Sequence, residues 1–528
     1  MATHRILITD PLHPVGVELL RESGAEVVEL TEDDRPRLLD LLPDFDALVV
    51  RSGTKVTADV LRAGTRLKVV GRAGIGVDNV DIKTATELGI LVVNAPTANL
   101  LSATEHTFAL MLALARKVPA ADASLRSGEW NRKGFVGVEL QTKTLGIVGF
   151  GRIGQQVARR ARAFDMDVVA YDPFLDSSVA EKMDVELLPL DQVLSRAQVL
   201  TLHVPLTDDT RGLIGEAELA KLPPAAMLVN CARGGVVDEK ALLEALESGR
   251  LAGAALDVFA QEPPKDFTLM RHPQVVATPH IGAQTREAQE RIATETARMV
   301  LSSLDGSLAV TAVNLPFHPA GSHAEPFLFL GEQLGRLAGT LLGGGVQRVQ
   351  VDLWGIDEML RQPLAIAALK GALVPFLGDS VNFVNAERIA ESRGIETVRA
   401  THSPTADYDY PHLIGVTLSG DGRSIELAGT VFGDRDPRVV RFGGFPLEFR
   451  PEGLLLVLRN QDRPGVVGKI GHLLGEADVN IADIHLARQD ADSLAVLRLD
   501  TEPSAGALEK LRGLPEVRTV QIVDLSRG

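Results

Sequence analysis

Residues 144–164, TLGIVGFGRIGQQVARRARAF, carry the reading on which the fold turns. A β-rich run ends in GFGRIG, and those six residues open a helical run. Each glycine has its own use. Gly149 permits a tight turn, Gly151 lets the backbone approach a pyrophosphate, and Gly154 lets the helix pack on its strand. The start of the helix adds positive potential where the phosphates would lie. Downstream, DVVAYDP ends in Asp172, at the spacing where an acid accepts hydrogen bonds from an adenosine ribose and repels a 2′-phosphate. Strand, loop, helix and acid in this order predict a Rossmann unit that binds NAD rather than NADP.

Outward from this stretch the same rhythm continues. From Thr144 to about Gly282, strands are expected to end at Phe150, Asp172, His203, Cys231, Asp257 and Pro279. Before it, RILITD, AEVVEL, ALVVRS, LKVVGRAG and ILVVN alternate with helical stretches between Arg5 and Val93, the pattern of a first parallel sheet. In SATEHTFALMLALARKV, Ser102 and Glu105 form a Ser-x-x-Glu capping box ahead of an apolar helix that would link the two units. The helical stretch 283–306 has apolar residues at helical spacing and could carry the chain back to the first unit.

Beyond Pro316 the texture changes. A helix candidate at 329–342, a triple-glycine break at Gly343–Gly345 and a Gly-Asp-Gly turn at 420–422 predict a mixed α+β unit. The last stretch reads β-α-β-β-α-β from Gly453 to Leu525, the split ferredoxin-like order. The expected fold class is therefore α/β, two doubly wound units of Rossmann or flavodoxin type, then an α+β unit and a ferredoxin-like one. The expected bounds are 1–97 with 284–315, 98–283, 316–451 and 452–528.

A chain of 528 residues exceeds what one hydrophobic core serves, so several compact units are expected. With 54 basic and 70 acidic residues the formal charge is −16, which repels nucleic acid. An anionic ligand must therefore meet a local basic cluster. A lone cysteine, Cys231, excludes an internal disulfide framework and leaves too few thiolates for a structural zinc or iron–sulfur site, so no metal is expected. No apolar run reaches the roughly 18 to 20 residues of a membrane helix, and the start lacks a secretory signal, which predicts a cytoplasmic protein with no membrane partner.

Ligands of doubly wound sheets sit outside the carboxyl ends of the strands. Three such ends carry reactive side chains: AAMLVNCARGG delivers Arg233, GAALDVFAQEP delivers Asp257 and Glu262, and QVVATPHIGAQT delivers His280. Oxidising a secondary alcohol moves a hydride to nicotinamide and a proton to a base, a role His280 suits. Glu262 on the second ring nitrogen would fix the tautomer and stabilise the protonated ring. Arg233 offers two donors to a carboxylate beside the reacting oxygen.

Through GFGRIG, NCARGGVVDE, ALDVFAQEP and TPHIGAQT, the chain resembles the D-2-hydroxyacid dehydrogenase family across about residues 1–315. GRAGIGVDNVD (71–81) and the tail narrow the resemblance to the long type of D-3-phosphoglycerate dehydrogenases, with an intervening regulatory unit and a C-terminal ACT domain. The resemblance implies Arg233, Glu262 and His280 as the catalytic set. It implies cofactor contacts at Arg152, Ile153, Asp172, Val204, Cys231, Asp257, His280, Ile281, Gly282 and Ala283. For the substrate it implies backbone donors at Ser52 and Gly53 for a carboxylate, Arg51, Arg72, Arg132 and Lys133 for a phosphate, and a contact at Asn99. The reaction implied is NAD-dependent oxidation of 3-phospho-D-glycerate to 3-phosphooxypyruvate, the first step of L-serine synthesis, in a homo-oligomer, expected to be a homotetramer. Asp462 and Asn480 fall where the ACT family contacts serine, so L-serine is the expected effector.

Two departures stand out: Ile75 where relatives often carry a hydroxyl residue, and Asn460 where some serine-sensitive relatives carry an aromatic one. Arg435, Arg438, Arg441 and Arg450 form either a second anion site or the wet face of a sheet. Two rival functions stay open, a dehydrogenase of an unphosphorylated acid such as glyoxylate or hydroxypyruvate, and a nucleotide-sensing protein of the corepressor type. Arg51 and Arg72 speak against the first, the negative charge and sensor tail against the second.

Overall fold

The computed structural model describes residues 4–306, 312–317, 324–403, 410–433 and 435–526. The expected join between residues 315 and 316 leads into 318–323, which lie outside them. The first sheet holds Glu26–Glu29, Arg5–Ile8, Ala47–Val50, Val69–Arg72 and Leu91–Asn94 in that spatial order, all parallel. Its central strand Ala47–Val50 is a continuous apolar run buried on both faces, as parallel sheets require. The helix Arg286–Leu304 packs on this sheet, its Ala297, Val300 and Leu304 sharing a core with Ile6, Ile8 and Val49. Gly16 makes that packing close, because a Cβ there would come within 2.7 Å of the Ala293 Cβ.

The second sheet runs Val275–Ala277, Leu251–Leu256, Ala226–Asn230, Val199–Leu202, Thr144–Val148, Asp167–Tyr171 and Glu186–Leu187, again all parallel. Its winding reverses between Thr144–Val148 and Val199–Leu202, which makes that junction the topological switch point. Each strand stops one or two residues before its expected end. The N–H groups just past the ends still donate to neighbouring strands, His203 to Val148 at 2.8 Å, Asp257 to Asn230 at 2.9 Å and Thr278 to Leu256 at 2.9 Å.

The capping-box reading does not hold. The linking helix spans Leu100–Ala115 with Asn99 at its cap, so Ser102 lies inside it. Instead of capping, the Ser102 hydroxyl donates to the carbonyl of Gly282, 2.7 Å away in the second unit.

The third unit is a mixed six-stranded sheet, Glu396–His402, Arg348–Trp354, Leu413–Gly420, Arg423–Phe432, Asp436–Phe442 and Phe445–Phe449, covered on one face by the helices Glu325–Leu342 and Glu358–Leu377. The second of these has the length and mean composition of a membrane span, although Arg361 and Lys370 interrupt its apolar run. It is a core helix here: Leu364 to Leu369 are buried against the sheet and the neighbouring helix. The fourth unit places Ile481–Gln489, Asp492–Leu499, Leu454–Gln461 and Val517–Asp524 in one antiparallel sheet, the ferredoxin-like order the sequence predicts.

Candidate active site

The carboxyl ends of the first two sheets face one another across a cleft of about 510 Å³. From the second sheet Ile153, Val204, Cys231, Arg233, Asp257, Glu262 and His280 line it, and from the first Arg51, Ser52 and Arg72. Sequence positions more than two hundred residues apart thus meet because both windings put their loops at the same mouth.

His280 and Glu262 form a close polar contact, Nδ1 to carboxylate oxygen at 2.6 Å. The carboxylate can only accept, so Nδ1 carries the proton and Nε2 is the ring's free base. Burial works against the Glu262 charge, but the bonds from His280 and from the Phe259 N–H outweigh it and hold the carboxyl below its ordinary range. His280 itself stands in the left-handed backbone region at φ 54, which fixes where its ring can point. Arg233 is tethered by its own carbonyl to the Asn230 side chain at 3.0 Å. Its Nε donates to Asp78 on the opposite lobe at 3.2 Å.

The cofactor loop fits a dinucleotide. A Cβ on Gly149 would lie 2.7 Å from the His203 carbonyl and one on Gly154 would lie 2.3 Å from the Gly149 carbonyl, so both must be glycine, whereas the space around Gly151 is open. Arg152 begins a twelve-residue helix there. Asp172 accepts the N–H groups of Phe150 and Phe174 at 2.9 and 3.0 Å, one on each oxygen, and keeps a lone pair on each for a ribose. The stretch Ile281 to Ala283 follows His280, with the Ile281 and Gly282 N–H groups both donating to Asp257 at 2.8 Å.

On the opposite wall, buried Asp10 accepts the N–H groups of Arg51 and Thr54 at 2.7 and 3.0 Å. Among the described residues, the N–H groups of Ser52 and Gly53 between them have no protein partner, a small nest for an anion, though Gly53 itself lies outside the lining. Burial, with Arg233 next to it, pulls the Arg72 guanidinium down to about 10, a penalty that a bound anion removes. Among the described residues, the Arg72 Nε and the Asn99 Oδ1 are buried without partners, and both residues line the cleft. Arg132 and Lys133 do not line it. They follow the helix Val118–Arg126, which buries none of its residues, and so stand on an exposed arm of the chain.

Three residues to which the sequence reading gave no role in the site belong to this region. Asp78 lies inside the quoted 71–81 motif, and His203 follows a strand whose end was correctly expected to face the cleft. Burial pushes the His203 ring down to about 3, so it is neutral. His106 lies on the linking helix, its Nε2 at 3.2 Å from Asp257 and 3.0 Å from Thr278. No spacing signal marks it, because its role depends on which helical face meets the sheet. His106, Cys231 and Asp257 bring ligand-type atoms within 4.8 Å, but each is engaged in hydrogen bonds and burial holds the thiol protonated.

In the fourth unit the two expected effector contacts are not brought together. Strand pairing aligns Gln461 with Asp492 and Gln489 at one end of the sheet, and Leu454 with Leu499 and Ile481 at the other. Asp462 follows Gln461 and Asn480 precedes Ile481, so they sit at opposite ends, about 25 Å apart for an eight-residue strand. Asp462 pairs with Arg488 at 3.4 Å and Asn480 donates to Asp500 at 2.7 Å. Arg438 and Arg450 line a cavity between the third and fourth sheets, both ion-paired to Asp436. Arg435 and Arg441 do not line it.

Residues 108–282 match the NAD-binding domain of the D-isomer specific 2-hydroxyacid dehydrogenases. Residues 323–443 match the intervening domain of D-3-phosphoglycerate dehydrogenase, and 454–516 match the ACT domain. The chain is 43% identical to a D-3-phosphoglycerate dehydrogenase of Methanocaldococcus jannaschii, over 99% of this chain and 100% of the relative. It is 40% identical to one of Bacillus subtilis, over 99% of each. Among solved structures it resembles the TT0316 protein of Thermus thermophilus, at 36% identity and a TM-score of 0.55, covering 58% of this chain and 99% of that one. A D-lactate dehydrogenase of Aquifex aeolicus complexed with NAD and lactic acid matches at 29% identity and TM-score 0.53, covering 58% of this chain and 98% of that one.

Proposed function

The chain belongs to the D-3-phosphoglycerate dehydrogenases of the D-2-hydroxyacid dehydrogenase family, and from that premise we propose that it oxidises 3-phospho-D-glycerate to 3-phosphooxypyruvate, opening L-serine synthesis. It is an NAD-dependent oxidoreductase. NAD, when bound, accepts a hydride from the substrate carbinol carbon. Gly149, Gly151 and Gly154 with the helix start at Arg152 would hold its pyrophosphate and Asp172 its ribose. Arg233 binds the substrate carboxylate and polarises the neighbouring oxygen. The His280 Nε2 takes the hydroxyl proton while Glu262 keeps Nδ1 protonated and offsets the charge formed on the ring.

The observation that supports this reading is the convergence of the His280–Glu262 pair and Arg233 with Arg51, Arg72 and the Ser52–Gly53 nest at one cleft. Two cations and two N–H donors exceed what a plain hydroxy acid needs. Comparing kcat/KM on 3-phosphoglycerate with that on hydroxypyruvate, glyoxylate and lactate, in the matching directions, tests it. Preference for the phosphorylated pair by at least about 100-fold is expected, and equal or better turnover of the plain acids would refute it.

The domain bounds given from sequence serve as the working division. A homo-oligomer, as a homotetramer, is proposed because the arm after residue 115 exposes Val118, Leu125, Val136 and Trp130, the last 80% exposed. A second copy packed there would carry Arg132 and Lys133 toward a neighbouring cleft. Feedback by L-serine belongs to the same proposal, and because Asp462 and Asn480 lie at opposite sheet ends, such a site would combine one residue from each of two subunits. Cytoplasmic residence completes the reading.

A further inference from the structure

His106 plays no part in the mechanism above, yet it is the side chain on which the geometry behind His280 closes. Its Nε2 faces two groups, the Asp257 Oδ1 at 3.2 Å and the Thr278 Oγ1 at 3.0 Å. The Thr278 hydroxyl has its own proton committed to Asp257 at 2.6 Å, so its oxygen is left to accept. Asp257 is only 1% exposed, and although burial opposes its charge, the bonds from His106, Thr278 and two backbone N–H groups hold it ionised. Two acceptors facing one nitrogen require Nε2 to carry the hydrogen.

Besides His106 and the Cys231 thiol, the groups that Asp257 holds belong to the turn that bears His280. Its carboxylate takes the N–H groups of Ile281 and Gly282 at 2.8 Å, and its carbonyl takes the N–H of His280 at 2.8 Å. That turn has the left-handed backbone of His280 at its centre, φ 54, a conformation that is unfavourable for a side-chain-bearing residue and persists only when its surroundings impose it. From the same helix face, one turn before His106, the Ser102 hydroxyl grips the Gly282 carbonyl at 2.7 Å. The linking helix therefore holds the catalytic turn at two points.

We propose that His106 is a positioning residue, which by donating Nε2–H to Asp257 and Thr278 locks the left-handed turn and so aims the His280 ring at the substrate hydroxyl. The inference rests on His280 being the base. A loosened turn misplaces that base by a fraction of an ångström to an ångström, which costs rate far more than substrate affinity.

The test uses steady-state kinetics of the full-length enzyme with NAD and 3-phosphoglycerate. His106→Leu is expected to lower kcat about 10- to 100-fold while KM for 3-phosphoglycerate stays within about 3-fold. His106→Gln, whose amide nitrogen reaches the same place as Nε2, is expected to recover most of the lost rate. Thr278→Val removes one acceptor and should lower kcat in the same manner, and it carries the test should His106→Leu not fold. Wild-type kcat in the folded Leu variant, or Gln no better than Leu, overturns the inference. Loss of activity in His280→Ala alongside such a result would leave the base assignment standing, whereas an active His280→Ala would remove the premise itself.

Discussion

At the scale of single residues, the cleft contrasts a hydrogen-bonded pair with a crowded set of cations. Glu262 is kept ionised to lower pH in the folded chain than in the unfolded one, because the bonds from His280 and Phe259 outweigh its burial. Its depressed pKa therefore contributes stability that is present above the ordinary value of 4.5 and is lost as pH falls through the folded value. Replacing Glu262 by Gln should lower the melting temperature at neutral pH, with the gap to wild type closing as the pH drops below that value. The same variant should lose about 100-fold in kcat, since an amide neither fixes the tautomer as firmly nor offsets the imidazolium charge. Arg72 behaves oppositely. It is held at a cost and gains when an anion arrives, so Arg72→Ala should raise KM for 3-phosphoglycerate on the order of 100-fold and change kcat far less, as read from initial rates.

At the scale of elements, the glycine loop, the acid after the second strand and the three reactive strand ends could be placed from sequence because each obeys a local rule of βα units. What escaped is instructive. Asp78 pairs with Arg233 only because two lobes face one another, and His106 reaches Asp257 only because the linking helix turns that face inward. Ser102 has the right spacing for a cap but is drawn inside the helix, where its hydroxyl holds the Gly282 carbonyl beside the catalytic turn. Likewise the helix Glu358–Leu377 is as apolar as a membrane span because it is buried between a sheet and another helix. His203 carries a prediction at this scale. Held neutral at the end of Val199–Leu202, its ring takes up a proton on unfolding below the ordinary value of 6.5, so stability falls with pH from there toward 3. The slope is at most about 1.4 kcal/mol per pH unit, and less where water from the cleft reaches the ring. His203→Gln should flatten the fall in melting temperature between pH 6.5 and 5.

At the scale of the whole molecule, the order of four sheets was readable because their periodicities differ, while relations between subunits were not. The register of the last sheet separates Asp462 from Asn480, so an effector site using both draws on two chains. L-serine should raise the melting temperature of the wild type and leave Asp462→Ala and Asn480→Ala unaffected. Unfolding and refolding the two variants together should restore part of the response, since a mixed pair regains one complete site. No recovery in the mixture would show that the two residues do not share a site across subunits.

The most direct measurement follows NADH absorbance at alkaline pH with 3-phospho-D-glycerate as the sole oxidisable substrate, in the wild type and in His280→Ala, alongside NADH binding by fluorescence. Steady NADH formation by the wild type, abolished in the variant while NADH still binds, is the expected result. A variant that keeps forming NADH at an undiminished rate, or a wild type inert toward this substrate, would contradict the account.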